Sequence, residues 1–162
     1  MTSHPRTTKP RKPLYTPEER VRRDASYWTT VQGVLAPAQF LVFAISLGLV
    51  LNYMLTGNGY GAATISILIK TAFLLTIMVT GAIWEKVVFG QYLFAPAFFW
   101  EDVFSFAVIA LHTAYVVALL ADAMSPAGLM TVALLAYTAY VINAGQFLWK
   151  LRIARLDAEA TA

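Results

Sequence analysis

The sequence predicts an all-α protein: an integral membrane bundle of four transmembrane helices, with an aromatic interfacial or re-entrant segment between the second and third. Three observations predict it. Apolar residues make up 59% of the 162 residues and charged residues only 13%. Four apolar runs, at about Val34–Leu55, Ala62–Trp84, Val103–Ala121 and Ala127–Trp149, each approach the ~20 residues a helix needs to cross a hydrocarbon core of roughly 30 Å. The connections between them are too short to hold a soluble domain, so 34–151 reads as one membrane domain.

The elements follow in order. Residues 1–16 carry Pro5, Pro10 and Pro13 among basic residues and read as a disordered basic tail. Thr16-Pro17-Glu18-Glu19 then reads as a helix start, with Thr16 as N-cap, Pro17 in the first position and Glu19 closing a capping box. From there to residue 33 the basic residues suit an amphipathic segment lying on anionic headgroups. A cleavable signal peptide has a short basic start before a short apolar core. Here a long polar stretch precedes a full-length span, so the first span reads as an anchor that stays. Arg6, Lys9, Arg11, Lys12, Arg20, Arg22 and Arg23 precede it; Lys150, Arg152 and Arg155 follow the last, in or beside a tail at 152–162. Lys86 lies between spans two and three, while 57–61 and 122–126 hold no Lys or Arg. The positive-inside tendency therefore puts both termini and the aromatic segment in the cytoplasm. It also accounts for the net charge of +3 without a nucleic-acid partner. The absence of cysteine excludes disulfides and thiolate metal sites and leaves the compartment open.

Polar residues inside spans are costly and hence informative. Gln32, Gln39, Ser46 and Tyr53 recur every seven residues on one stripe of the first span, a pattern that suits interhelical hydrogen bonds. Lys70, mid-way along the second, must pair, lose its proton or snorkel; carbonyls or Asn52 near the far surface are one outlet, a substrate another. Ala110, Ala114 and Ala118 form a small-residue ridge on the third span, suited to close helix packing. His112 points away from it, on the face of Glu101, Ser105 and Tyr115. Tyr140, Asn143 and Gln146 add polar groups to the fourth. His112 is the one histidine inside the spans, His4 being in the tail. A bis-histidine haem site or a di-iron or zinc cluster cannot be assembled from one such residue. A lone histidine could ligate the magnesium of a chlorin, protonate a substrate, or hydrogen-bond across helices.

The stretch Glu85–Asp102 carries most of the functional information. Charge pairs bracket it, Glu85-Lys86 and Glu101-Asp102, and between them lie Phe89, Tyr92, Phe94, Phe98, Phe99 and Trp100, with Gly90 and Pro96 breaking any helix. Such a stretch suits a bed for a large, flat apolar molecule at a membrane interface, with carboxylates at the rim. An ordinary membrane boundary also explains the four rim charges.

The runs Trp28–Pro37, Thr80–Gly90 with its continuation to Asp102, and Leu111-His112-Thr113-Ala114-Tyr115 together resemble the bacteriochlorophyllide 3-vinyl hydratase family, with the likeness running from Arg22 to Leu151. The resemblance implies a hydro-lyase of bacteriochlorophyll biosynthesis, which adds water across the C3 vinyl group of chlorophyllide a or of 3-vinyl bacteriochlorophyllide a to give a 1-hydroxyethyl group. It implies no cofactor, magnesium entering only with the substrate. Such a hydration needs an acid, a placed water with a base, and a site that orients the macrocycle. The expected catalytic residues are Glu85, Glu101 and Asp102: Glu101 or Glu85 to donate the proton, Asp102 to orient or deprotonate water. The six aromatic residues would stack on the tetrapyrrole, Lys86 would hold its propionate, and Gln39, Lys70 and Asn143 would line the site. His112, eleven residues and roughly 16 Å along the helix from Glu101, would contact the ring interior, as an axial ligand to the substrate magnesium or a donor to a ring carbonyl.

Two other classes compete. A non-catalytic tetrapyrrole carrier or photosystem assembly factor would need the same bed without chemistry. A small four-helix exporter would need an ionised carboxylate in the first span, and none is there. The expected setting is the inner, intracytoplasmic membrane of a phototrophic bacterium, with lipid, water, the chlorin and other pathway enzymes as partners.

Overall fold

A computed structural model describes residues 13–159. Five helices follow one another: α1 (Pro17–Ala25), α2 (Tyr27–Thr56), α3 (Tyr60–Phe89), α4 (Phe99–Leu120) and α5 (Pro126–Glu159). The last four are long and apolar enough to cross a membrane, and no strand occurs among the described residues. The protein is a multi-pass helical bundle.

Local chemistry sets the boundaries. Thr16 and Glu19 form the expected capping box, each backbone N–H donating to the other's side chain at 2.8 and 3.2 Å. Ser26 ends α1 and at once caps α2, accepting from the Trp28 N–H at 3.2 Å. The stretch from 17 to 33 is thus divided between α1 and the first turns of α2, which begins at Tyr27 and continues through Pro37 into the apolar run. Gly57 and Gly59, at φ 73° and 86°, make the left-handed turn between α2 and α3. Gly90, at φ 86°, stops α3. Gly90 to Phe98 form the non-helical break expected there. α5 continues to Glu159, through most of the expected C-terminal tail.

α2 and α3 form one antiparallel hairpin, α4 and α5 another, and the hairpins meet along α2–α5 and α3–α4. In lipid, apolar contact alone gives helices no reason to associate, so packing and interhelical hydrogen bonds decide the arrangement. The seven-residue stripe of α2 supplies several. Gln32 Nε2 donates to Thr80 Oγ1 at 2.8 Å, and the Ser46 hydroxyl bonds those of Ser66 and Tyr137. Trp84 Nε1 adds a bond to Thr29 Oγ1 at 2.9 Å. The alanine ridge of α4 packs only in part: Ala110 and Ala114 are exposed, while Ala118 is half-buried against the core. Glu101, Ser105, His112 and Tyr115 share the opposite face and are buried. Lipid cannot satisfy those groups, so their face turns inward and the alanines turn outward.

The expected tail lies outside the described residues up to residue 12. Beyond that, Leu14 and Tyr15 are docked rather than loose. The Leu14 N–H donates to Asp157 Oδ2 at 3.0 Å. Tyr15, only 5% exposed, stacks on Phe89 at 5.7 Å and lies 4.7 Å from the Arg23 guanidinium. Burial raises the Tyr15 phenol above its usual 10.0, against the pull of Arg23, so the ring enters the cluster uncharged. Arg22 Nε caps a last-turn carbonyl of α3, that of Val88, at 2.8 Å. The short N-terminal segment thereby straps the ends of α3 and α5 together.

Candidate functional site

Three buried carboxyls meet at the end of the bundle that the strap covers. Glu85 comes from the last turns of α3, and Glu101 and Asp102 from the first turn of α4. They are 5%, 5% and 3% exposed. The break between the helices folds back over them and supplies backbone donors. The Ala95 N–H donates to Glu85 Oε2 at 3.2 Å, and the Phe94 N–H to Asp102 Oδ2 at 2.7 Å. Bonds from two successive N–H groups, those of Phe94 and Ala95, hold Asp102 and Glu85 side by side. Two carboxyls buried side by side repel each other when both are charged, so the pair is suited to hold one transferable proton in a place closed to bulk water.

Glu101 completes the group from one side, 3.6 Å from Lys150 Nζ. Lys150 also donates to the Ala97 carbonyl. Sequence reasoning counted Lys150 only for topology. Its spacing from Asn143 and Gln146 on one helix face was the available signal. Lys86, expected to hold a propionate, stands apart: its ammonium is exposed, donates to the Gly90 carbonyl at 2.7 Å and lies 5.4 Å from the Tyr92 ring. The cation beside the carboxyls is Lys150.

The aromatic residues divide into two sets. Phe89 and Phe98 turn inward and pack with Tyr15 and Trp84, Phe98 also stacking on Phe147 at 6.1 Å. They build the floor under the break. Tyr92, Phe94, Phe99 and Trp100 are exposed. Phe94 stacks on Phe106 at 5.6 Å and 15° and lies 5.7 Å from Phe99, which meets Trp100 edge-on at 5.4 Å. Phe106 was not anticipated, since by sequence it is one more apolar residue of a span. Phe94 is also strained: its φ of 60° is a left-handed conformation that a bulky side chain rarely adopts. The short bond from its N–H to Asp102 holds it there, so one residue links the carboxyl pair to the exposed ring platform.

The remaining expected residues gather at the centre of the bundle. Lys70 is fully buried with its ammonium 3.8 Å from the Tyr140 ring centroid, and not beside Asn52, which bonds the Asn58 carbonyl instead. His112 is 1% exposed, and its Nδ1 bonds the Val108 carbonyl at 2.8 Å. Asn143 donates to Ser105 Oγ at 2.8 Å, and Gln39 is 4% exposed. The structure thus brings Glu85, Glu101 and Asp102 together. Gln39, Lys70, His112 and Asn143 are buried as well but are not part of that carboxyl group.

The comparisons with known proteins identify the family. Residues 15–153 match the family described as 2-vinyl bacteriochlorophyllide hydratase (BCHF). A 2-vinyl bacteriochlorophyllide hydratase of Cereibacter sphaeroides is 75% identical over 152 residues, covering 93% of this chain and 94% of that protein. Another from Rhodobacter capsulatus is 71% identical over 151 residues, covering 91% and 86%. No solved structure matches the chain. With the family matched from the docked strap to the last helix, and two relatives above two-thirds identity over nearly their whole length, the chain belongs to the 2-vinyl bacteriochlorophyllide hydratase family.

Proposed function

We propose that this chain hydrates the vinyl group of a bacteriochlorophyllide-type macrocycle, at the ring position numbered 2 in one convention and 3 in the other. The single observation that carries a chemical role for named residues is the buried Glu85–Asp102 pair, held side by side by the Phe94 and Ala95 N–H groups beneath an exposed aromatic platform. Phe94, Phe99, Phe106 and Trp100 offer the macrocycle a surface to stack on. Entry to the pair requires the break from Gly90 to Phe98 to move, and the left-handed Gly90 and strained Phe94 are the points at which it turns.

The step balances without an oxidant or reductant. The acid of the pair gives its proton to the terminal CH2 of the vinyl group, and the C=C electrons form the new C–H bond. The inner carbon is left cationic, its charge spread into the conjugated ring. Water attacks that carbon, and the carboxylate of the pair takes the proton it loses, which returns the pair to its starting state. Glu85 is the better placed donor. Asp102 sits in the first turn of α4, where the helix dipole favours a negative charge, and accepts the short Phe94 bond. Glu85 sits near the opposite, disfavouring end of α3. Glu101 and Lys150 hold a compensating ion pair beside the developing charge. No cofactor is called for, and both termini are assigned to the cytoplasm of the phototroph's intracytoplasmic membrane.

The test is incubation of purified protein with a vinyl chlorophyllide in the absence of any added cofactor. A product heavier by one water, lost in Glu85→Gln, is the expected result. Pigment bound but unchanged would make the protein a carrier.

A further inference from the structure

Inside the bundle each of four helices buries a polar atom that has no hydrogen-bond partner. Tyr137 and Tyr140 of α5 mark the place. Lys70 Nζ lies 3.8 Å from the Tyr140 ring centroid and is close enough to His112 to act on it electrostatically. The His112 ring is 5.9 Å from that of Tyr137. Asn143 is one turn beyond Tyr140, and Gln39 one turn before Phe43, whose ring is 4.9 Å from Tyr140. Lys70 Nζ, His112 Nε2, Asn143 Oδ1 and Gln39 Oε1 are buried and have no hydrogen-bond partner.

Neighbouring bonds dictate the sense of each group. The Val108 carbonyl can only accept, so His112 Nδ1 carries the proton and Nε2 of the neutral ring presents a lone pair. Ser105 gives its own proton to the Glu101 carbonyl at 2.9 Å, so it accepts from the Asn143 amide and leaves Oδ1 free. Three acceptors and an ammonium with three N–H groups are thus buried without hydrogen-bond partners in this part of the bundle. An anion would suit Lys70 but meet three lone pairs. A metal ion would suit the lone pairs but meet the ammonium. Water accepts from the one and donates to the others, and buried water typically makes about three such bonds.

We propose that the bundle centre is a binding site for a cluster of water molecules, held by Lys70, His112, Gln39 and Asn143, and that it supplies reactant water to the carboxyl site along Asn143 and Ser105. The supply half rests on the hydration assigned above; the water site does not. Ser105 lies one turn from Glu101 on the buried face of α4, so the bonds from Asn143 through Ser105 lead to the Glu101 backbone. Such an internal route brings water to the reacting carboxyls while the break is closed over them.

Pulsed hydroxyl-radical footprinting of the intact protein in lipid nanodiscs tests the site, because radicals generated from bound water label side chains that bulk radicals do not reach. Phe43 and Tyr140 are expected to label several-fold faster than Phe98, which is equally buried in an apolar cluster. Lys70→Met should abolish the difference, and Gln39→Leu, on another helix, should reduce it if the lysine variant does not fold. Labelling of Phe43 and Tyr140 at the rate of Phe98, or unaffected by both variants, would overturn the water site. Ser105→Ala keeps the four ligands and cuts the route: kcat should fall several-fold at unchanged KM with labelling intact, and an unchanged kcat would overturn the supply role. Labelling is read without turnover, so it survives a failure of the carboxyl assignment. The effects of Glu85 and Asp102 variants likewise survive a failure of the water site.

Discussion

If Glu85 and Asp102 share one working proton, replacing both should cost no more turnover than replacing either. Glu85→Gln and Asp102→Asn keep side-chain volume and the ability to accept from the break's N–H groups, but neither can release a proton. General acid–base catalysis contributes roughly 10²–10⁴-fold, so each single variant should lose that much in kcat with KM little changed. The fold responds differently at the two positions. The Ala95 bond to Glu85 is 3.2 Å long, and its replacement by an amide acceptor should cost about 1 kcal/mol of stability. The Phe94 bond to Asp102 is 2.7 Å and opposes a left-handed backbone, so Asp102→Asn should cost about 2 kcal/mol. Single-turnover assays on chlorophyllide-loaded protein, with denaturant unfolding of the same preparations, measure both. Groups acting as a unit give strongly non-additive losses. If the double variant instead loses the product of the two single losses, the carboxyls act independently and the shared-proton mechanism is wrong. Retention of more than about a tenth of wild-type kcat in Glu85→Gln would remove Glu85 from the acid role altogether.

Phe94→Gly should relieve a left-handed strain of about 1–2 kcal/mol while losing the Phe106 stack, leaving stability nearly unchanged but raising KM about tenfold; an unchanged KM would separate the platform from substrate binding. Lys150→Met strands Glu101 as a buried unpaired carboxyl and should destabilise by about 3 kcal/mol, most of it recovered in the double variant with Glu101→Gln, as a double-mutant cycle would measure. Tyr15→Ala should free the strap, exposing Arg20 and Arg22 to trypsin well before the bundle unfolds, while Tyr15→Phe should not; equal cleavage in both variants and wild type would mean that Tyr15 does not hold it. Cysteines introduced as Gln91→Cys and Asn58→Cys should label from opposite sides of sealed vesicles, with position 91 sharing the side of Arg23; the reverse would invert the assigned topology.

Membrane class, four spans, the break after Gly90 and the family were all legible in the sequence, because a bilayer imposes length and composition on each helix separately. The Thr16 capping box and the inward face of His112 could be read for the same reason: caps and helix faces are local periodic facts. Tertiary structure alone decided which polar groups meet. Glu85 and Asp102 stand at the two ends of one stretch and become neighbours only when the break doubles back and donates Phe94 and Ala95 N–H groups to them. The single aromatic bed became two surfaces, since Phe98 found Tyr15, Trp84 and Phe147 while Phe94 found Phe106. Lys86 and Lys150 look equivalent as interfacial cations, yet their positions on α3 and α5 point one to the Gly90 carbonyl and the other to Glu101. Spacing within a helix assigns a face, but the partner on that face belongs to another helix, and only packing chooses it.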